Sequence, residues 1–166
     1  MTAIASRDIH QHLLDVLSAE RARFRVMEHE AIGKCEAVSE VRGTALGQGA
    51  KALVCKVKGN GVKQHVLAIL AADRQADLAL LAEHLGGLKA SLASPAEVDE
   101  LTACVFGAIP PFSFHPALKL VADPLLFERF AEIAFNAGSL EKSIVMDTRD
   151  YLRIAKPQLV KFCRAD

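Results

Sequence analysis

The sequence has no C-x-x-C pair, no apolar run long enough to cross a membrane, no excess of either charge, no repeat and no low-complexity linker. Each absence removes a class of protein. Cys35, Cys55, Cys104 and Cys163 lie far apart, so neither a disulfide framework nor a zinc site is indicated, and reduced thiols in a cytoplasmic chain are expected. Without an apolar span of about 20 residues the chain is not an integral membrane protein. Residues 1–12 meet Asp8 and two histidines before any apolar core, unlike a secretory signal. Twenty basic and 20 acidic residues sum to a formal net charge of +0, which speaks against tight, nonspecific binding of nucleic acid.

Several catalytic signatures are missing too. The stretch Gly43-Thr44-Ala45-Leu46-Gly47-Gln48-Gly49-Ala50-Lys51 has the look of a phosphate loop. However, Ala50 stands where a glycine must precede the lysine, and Ala52 where a Ser or Thr must follow it. Neither G-x-G-x-x-G nor the G-x-S-x-G elbow occurs. Six histidines include no i, i+4 pair, and His10 and His12 point to different faces of a helix, so no metal site is expected.

What is present is a core-forming chain. Its 166 residues are 51% hydrophobic, with a mean hydropathy of +0.21, enough for one compact domain spanning residues 1–166. Ile9, Leu13, Val16 and Leu17 make a helical stripe over residues 6–21, with Ser6 as its cap. Residues 24–27 are extended, and residues 33–41 form a short helix that Gly43 ends. Two β-rich runs, 52–57 and 62–70, flank Lys58-Gly59-Asn60-Gly61, a hairpin signal. Residues 77–85 are helical up to Gly86-Gly87. Ser94-Pro95-Ala96-Glu97 starts another helix through a capping box. Residues 119–122 read as a strand and Asp123-Pro124 as a turn. Strands at 132–135 and 143–146 are expected around Asn136-Ala137-Gly138, and a last helix at 147–155 before Lys156-Pro157. The class is α+β, with a mainly antiparallel or mixed sheet and helices at its edges.

Charge is unevenly spread along this frame. Arg42, Lys51, Lys56, Lys58 and Lys63 occur between residues 41 and 72 with no acid among them, whereas residues 73–100 carry six acids against only Arg74 and Lys89. A neutral chain of this kind can still present one positive face.

Lys51 is the anomaly in that basic run. On a strand it shares parity with Leu53, Cys55 and Val57, so it projects to a side that otherwise reads as core. An ammonium there must find a partner, stay near water or shift its pKa. Two readings remain open: a strand-opening lysine that snorkels to solvent, or a cation facing a ligand. The stiff turn Gly107-Ala108-Ile109-Pro110-Pro111-Phe112 could supply a backbone wall for the second.

Lys51, this turn, the segment Phe135-Asn136-Ala137-Gly138, and the run Gly33-Lys34-Cys35-Glu36-Ala37-Val38-Ser39-Glu40 occur in an order and spacing that cover nearly the whole chain. In these the sequence resembles the YbaK/EbsC/ProX family, free-standing relatives of the prolyl-tRNA synthetase editing domain, and within it the YeaK type. The resemblance implies a curved mixed sheet with flanking helices. It also implies a metal-independent hydrolase that removes amino acids from mischarged aminoacyl-tRNA, needs no cofactor, and serves translation fidelity by proofreading. By resemblance the family's essential lysine is Lys51 and its glycine-containing loop is residues 107–112, with Gly107, Ala108 and Ile109 as backbone donors and Pro110 and Phe112 shaping the pocket. Asn136, Ala137, Gly138 and Ser139 would line the amino-acid pocket. The pair Pro110-Pro111 departs from relatives, which often carry another residue before Pro-Phe, and this bears on pocket size.

The residues themselves permit that chemistry. The ester of an aminoacyl-tRNA is already activated, so the protein must grip it, admit water and stabilise the carbonyl oxygen. Pro110 and Pro111 lack N–H groups, leaving Gly107, Ala108, Ile109 and Phe112 as backbone donors. No paired carboxylates announce a protein base, so the neighbouring ribose hydroxyl of the substrate is expected to assist the water. Met27 and His29 share a parity near a strand end, where they would line the pocket or simply pack in the core and face solvent. The expected substrates carry serine, threonine or alanine. Alternatives are a cysteinyl-tRNA deacylase of the YbaK type and a non-catalytic module that binds aminoacyl-tRNA or docks on an aminoacyl-tRNA synthetase. No membrane or metal partner is expected.

Overall fold

The computed structural model describes residues 6–32 and 34–164. Helix α1 (Ser6–Ala19) buries Ile9, Leu13 and Leu17 along one stripe at four-residue spacing. The side chain of Ser6, its expected cap, lies outside the described residues. Strand β1 (Phe24–Glu28) follows. Helix α2 (Cys35–Arg42) stops at Gly43, whose φ of 72° is left-handed; Gly33, expected at its start, lies outside the described residues. A single 3-10 turn (Leu46–Gln48) leads into β2 (Ala50–Gly59) and β3 (Val62–Ala71), paired antiparallel from Ala50↔Ala71 to Gly59↔Val62. Their hairpin reverses through positive φ at Gly59, Asn60 and Gly61, as its composition requires.

Asp77 caps α3 (Leu78–His84), its Oδ1 accepting from the Leu80 N–H at 3.0 Å. Strand β4 (Lys89–Leu92) then pairs with β2. Helix α4 (Pro95–Thr102) closes the expected capping box: Ser94 Oγ accepts from the Glu97 N–H at 3.2 Å, and Glu97 Oε1 from the Ser94 N–H at 3.0 Å. Strand β5 (Leu118–Ala122) runs parallel to β3, the chain turns at Asp123-Pro124 as expected, and α5 (Leu125–Arg129) follows that turn.

Strands β6 (Glu132–Ser139) and β7 (Lys142–Asp147) differ from expectation at one point. The segment Asn136-Ala137-Gly138 is not the turn between them. Strand β6 runs through it, the register slips between Asn136 and Ser139, and the reversal falls at Leu140-Glu141. It is a bulge, with Gly138 at a φ of 79°. Helix α6 (Thr148–Ala155), capped by Asp147, and the two-residue strand β8 (Gln158–Leu159) complete the order.

The pairing is divided between an antiparallel sheet, β1-β7-β6, and a mixed sheet, β4-β2-β3-β5-β8, joined by a bridge between Gly49 and Ala134. The class is α+β, with mixed and largely antiparallel strands. Both faces of β2 and β3 are covered. Val54, Leu67 and Ile69 enter the main core with Leu13, Phe112, Phe135 and Tyr151, while Cys55, Val57, Val66 and Leu70 pack on Leu81 and Phe162. That double burial explains why the parity of β2 carries information on either side. Among the described residues no helix is long and apolar enough to cross a membrane.

Candidate active site

Lys51 sits near the start of β2, opposite Leu70 and on the same face as the fully buried Cys55 and Val57. Its amine is not loose in solvent. Nζ donates to the Arg74 carbonyl at 2.6 Å, in the connection that follows β3. That connection is pinned by Arg129 on α5, which grips the Asp73 carboxylate with two nitrogens at 2.9 and 2.8 Å. The Arg129 guanidinium holds the Asp73 carboxyl below its ordinary range. Beside Lys51 opens a cavity of about 140 Å³, whose lining includes Cys35, Arg42, Lys51, Leu53, Phe106, Gly107, Ile109, Phe135 and Asn136.

The turn 107–112 contributes backbone to this cavity. Gly107 adopts a φ of 89°, a conformation that favours glycine. Among the described residues the N–H groups of Gly107 and Ile109 have no acceptor, and both residues line the cavity. Ala108 is placed differently: its N–H donates to the Val105 carbonyl at 3.1 Å, and its own carbonyl accepts from the Gly138 N–H at 2.9 Å. The Tyr151 hydroxyl donates to the Pro111 carbonyl at 2.6 Å, while Phe112 stands edge-on to Phe135 and Tyr151 in the core. The prolines and Phe112 therefore fasten the turn from behind.

A buried polar network lies under the cavity. Asn136 donates through Nδ2 to the carbonyls of Gly107 at 2.8 Å and Ile32 at 3.1 Å. Its Oδ1 accepts from Arg42 Nη2 at 3.0 Å, and Arg42 Nε donates to Ser143 Oγ at 2.8 Å. Ser143 Oγ is also 2.7 Å from His29 Nε2. Arg42 is only 7% exposed, and no carboxylate pairs with it among the described residues. Burial lowers its pKa to about 10, with a small opposing pull from Cys35, so it stays charged at neutral pH. Ser143 is fully buried and absent from the cavity lining, and its hydroxyl bridges His29 and Arg42. Cys35 does line the cavity, but burial raises its thiol pKa and leaves it a poor nucleophile at neutral pH.

Of the expected site residues, the fold thus gathers Lys51, Gly107, Ile109 and Asn136 around one cavity. His29 reaches it only through Ser143, and Met27 pairs with Ser143 across β1 and β7. Ala108, Pro110, Phe112, Ala137, Gly138 and Ser139 are not among the lining residues. The Ala137 carbonyl accepts from His10 Nδ1 at 2.7 Å, and Ser139 Oγ accepts from the Glu141 N–H at 3.1 Å. Sequence reasoning passed over Arg42, Cys35 and Phe106. The missed signal for Arg42 was its helical spacing from Val38, which puts a guanidinium on the buried stripe of α2.

Fold and cavity together define a class. Two crystal structures share the architecture: hypothetical protein APE2540, with a TM-score of 0.81, 17% identity and coverage of 92% of this chain and 99% of that one; and a candidate trans-editing enzyme for prolyl-tRNA synthetase, with a TM-score of 0.78, 20% identity and coverage of 99% and 100%. At those identities the likeness is one of fold. Residues 29–154 match the aminoacyl-tRNA editing domain family, and the chain belongs to that family. The multifunctional Ser/Thr-tRNA deacylases ProXp-y of Escherichia coli K12 and of Escherichia coli O157:H7 are each 76% identical to it over 165 residues, covering 99% of both chains.

Proposed function

We propose that the chain is a trans-acting deacylase that hydrolyses the ester of tRNA mischarged with serine, threonine or alanine. The observation that carries this reading is the convergence on one small cavity of the Lys51 strand and two backbone residues, Gly107 and Ile109, whose N–H groups have no acceptor among the described residues. The close relatives named for Ser/Thr-tRNA deacylation support it.

In this reading the N–H groups of Gly107 and Ile109 receive the ester carbonyl oxygen. A fixed donor strengthens as negative charge develops there, each typically worth roughly 10²–10³ in rate. The Arg42 guanidinium adds a desolvated positive charge to the same lining. Lys51 holds the terminal nucleotide through phosphate or ribose, or supports the oxyanion directly. Water attacks the carbonyl carbon, assisted by the neighbouring ribose hydroxyl. The bond from that carbon to the ribose oxygen breaks, and the ribose oxygen leaves with a proton. The Cys35 thiol that lines the cavity forms no covalent intermediate. The walls formed by Phe135 and Leu53 favour small acyl groups, and the polar network around Asn136 is the nearest source of partners for a side-chain hydroxyl. With no net charge to hold tRNA, an aminoacyl-tRNA synthetase is the partner proposed to supply further affinity, and reduced thiols suit the cytoplasm as the place of action.

The test is incubation of the purified chain with a panel of labelled tRNAs carrying serine, threonine, alanine, cysteine or proline. The expected result is release of the first three, with turnover lost in Lys51→Ala while the circular dichroism spectrum is unchanged. Binding without release by the wild-type protein would replace the enzyme with a capture module.

A further inference from the structure

Next to the cavity lies a second concave surface that the reaction so far leaves unused. It encloses about 390 Å³, larger than the cavity itself, and shares with it the residues Leu53, Phe106 and Ile109. Its far wall is made by Leu92, Pro95 and Val98. Three large apolar side chains around it are open to water: Phe106 is 77% exposed, Val105 57% and Leu92 56%. Phe106 contacts no other aromatic ring among the described residues. An apolar patch of this kind on a soluble domain marks a surface that something covers.

We infer that this groove seats the nucleobase of the terminal nucleotide, the one whose ribose carries the amino acid; the inference rests on the deacylase reading. Continuity makes the case. If the acyl group enters the cavity, the ribose lies at its mouth and the base attached to that ribose must settle within one sugar's width. The adjoining concave surface, reached across Phe106, is the groove. Its chemistry suits a base and not a phosphate. The lining is apolar apart from Cys104 and one carboxylate, Asp99. No basic side chain in the lining offsets that carboxylate, so phosphate would be repelled along this rim. An aromatic face open to solvent stacks any base, and a carboxylate accepts from an exocyclic amine such as that of the adenine ending a tRNA. Phe106, at the boundary of both spaces, would then fix the angle at which the ester enters the cavity.

Two measurements on the full chain test this. The first is kcat/KM for seryl-tRNA with Phe106→Ala, Phe106→Tyr and Leu92→Asp. Leu92 lies outside the cavity lining, so its substitution separates groove from cavity. Loss of stacking in Phe106→Ala should lower kcat/KM roughly 5- to 100-fold; Phe106→Tyr, which keeps an aromatic face, should lose less than Phe106→Ala, and Leu92→Asp should fall as well. The second is the fluorescence of a short oligonucleotide ending in 2-aminopurine, with serine in a non-hydrolysable amide linkage. Wild type should quench it, and Phe106→Ala should quench it less. Unchanged kcat/KM in both Phe106→Ala and Leu92→Asp overturns the inference, as does an unquenched probe on wild type. If wild type releases no amino acid from any tRNA, the deacylase reading fails, while the probe still decides what the groove binds.

Discussion

Arg42 Nη2 lies 3.0 Å from Asn136 Oδ1, and through that amide the arginine is joined to the Gly107 carbonyl, 2.8 Å from Asn136 Nδ2. A charged side chain in the main body of the protein is thereby coupled to the loop that offers its backbone to the cavity. Taking a guanidinium out of water without a carboxylate is unfavourable by several kcal/mol, and helix α2 would be more stable with an apolar residue on its buried stripe. The arrangement makes sense if the missing negative charge arrives with the substrate.

Arg42→Met separates stability from activity for that reason. The substitution removes an uncompensated buried charge while filling most of the same volume. Its unfolding free energy from urea titration should stay within about 1 kcal/mol of wild type or rise, whereas kcat for seryl-tRNA should fall roughly 10²-fold or more. A parallel loss of both would mean that Arg42 only supports the fold.

Lys51→Ala should abolish deacylation with little change in stability, because the side chain makes one hydrogen bond to the Arg74 carbonyl and is only partly buried. The companion experiment alters the substrate. A tRNA with hydrogen in place of the ribose hydroxyl next to the ester should be cleaved orders of magnitude more slowly by wild type. Unchanged cleavage of that tRNA would mean that a protein group activates the water.

Gly138→Ala tests whether the bulge in β6 fastens the catalytic turn. Gly138 has a φ of 79°, and a Cβ there would lie 2.9 Å from Ile9 Cγ2 and 3.0 Å from the His10 nitrogen. Its N–H also holds the Ala108 carbonyl. The substitution should destabilise the protein by about 1–3 kcal/mol and depress kcat through a displaced Gly107. Gly61→Ala is the control, since Gly61 shares a φ of 79° but has nothing within 4 Å of its Cβ position. It should show the backbone penalty alone and leave kcat unaltered.

Particular residues show how far the site could be read from sequence. Lys51 was legible because strand parity set a cation among Cys55 and Val57, which the fold buries completely. Arg42 presents the same contradiction at helical spacing, but it was counted among the charges of a basic run and not placed on the stripe of Val38. The prolines told which amides the turn lacks. They could not tell that the Ala108 N–H is spent on Val105, because that depends on a turn closed by tertiary contacts. Asn136-Ala137-Gly138 has the composition of a turn and became a bulge because β7 supplies a partner strand and the three residues are buried. Strands β4 and β8, with four and two residues, carry too little pattern to announce themselves without the neighbours they pair with.

The acid limb of stability should trace to the contact between Arg23, just before β1, and Asp150 on α6. The Arg23 side chain, donating through Nε at 3.1 Å, and the Arg23 backbone N–H at 2.9 Å hold the Asp150 carboxyl at a pKa of about 2, below its ordinary 3.8. A carboxylate whose pKa is depressed on folding adds stability above its unfolded pKa. That contribution is lost as pH falls from about 4 through 2. Asp150→Asn should therefore be less stable than wild type at neutral pH, and its urea midpoint should fall less steeply across that window. Some slope should remain, because His65 and the Ser94 cap hold the Glu97 carboxyl well below its usual range too. Urea titrations at half-unit steps from pH 6 to 2 would show this. Parallel acid limbs in wild type and Asp150→Asn would remove Arg23–Asp150 as a source of acid sensitivity and leave the capping box of α4 as the element to examine.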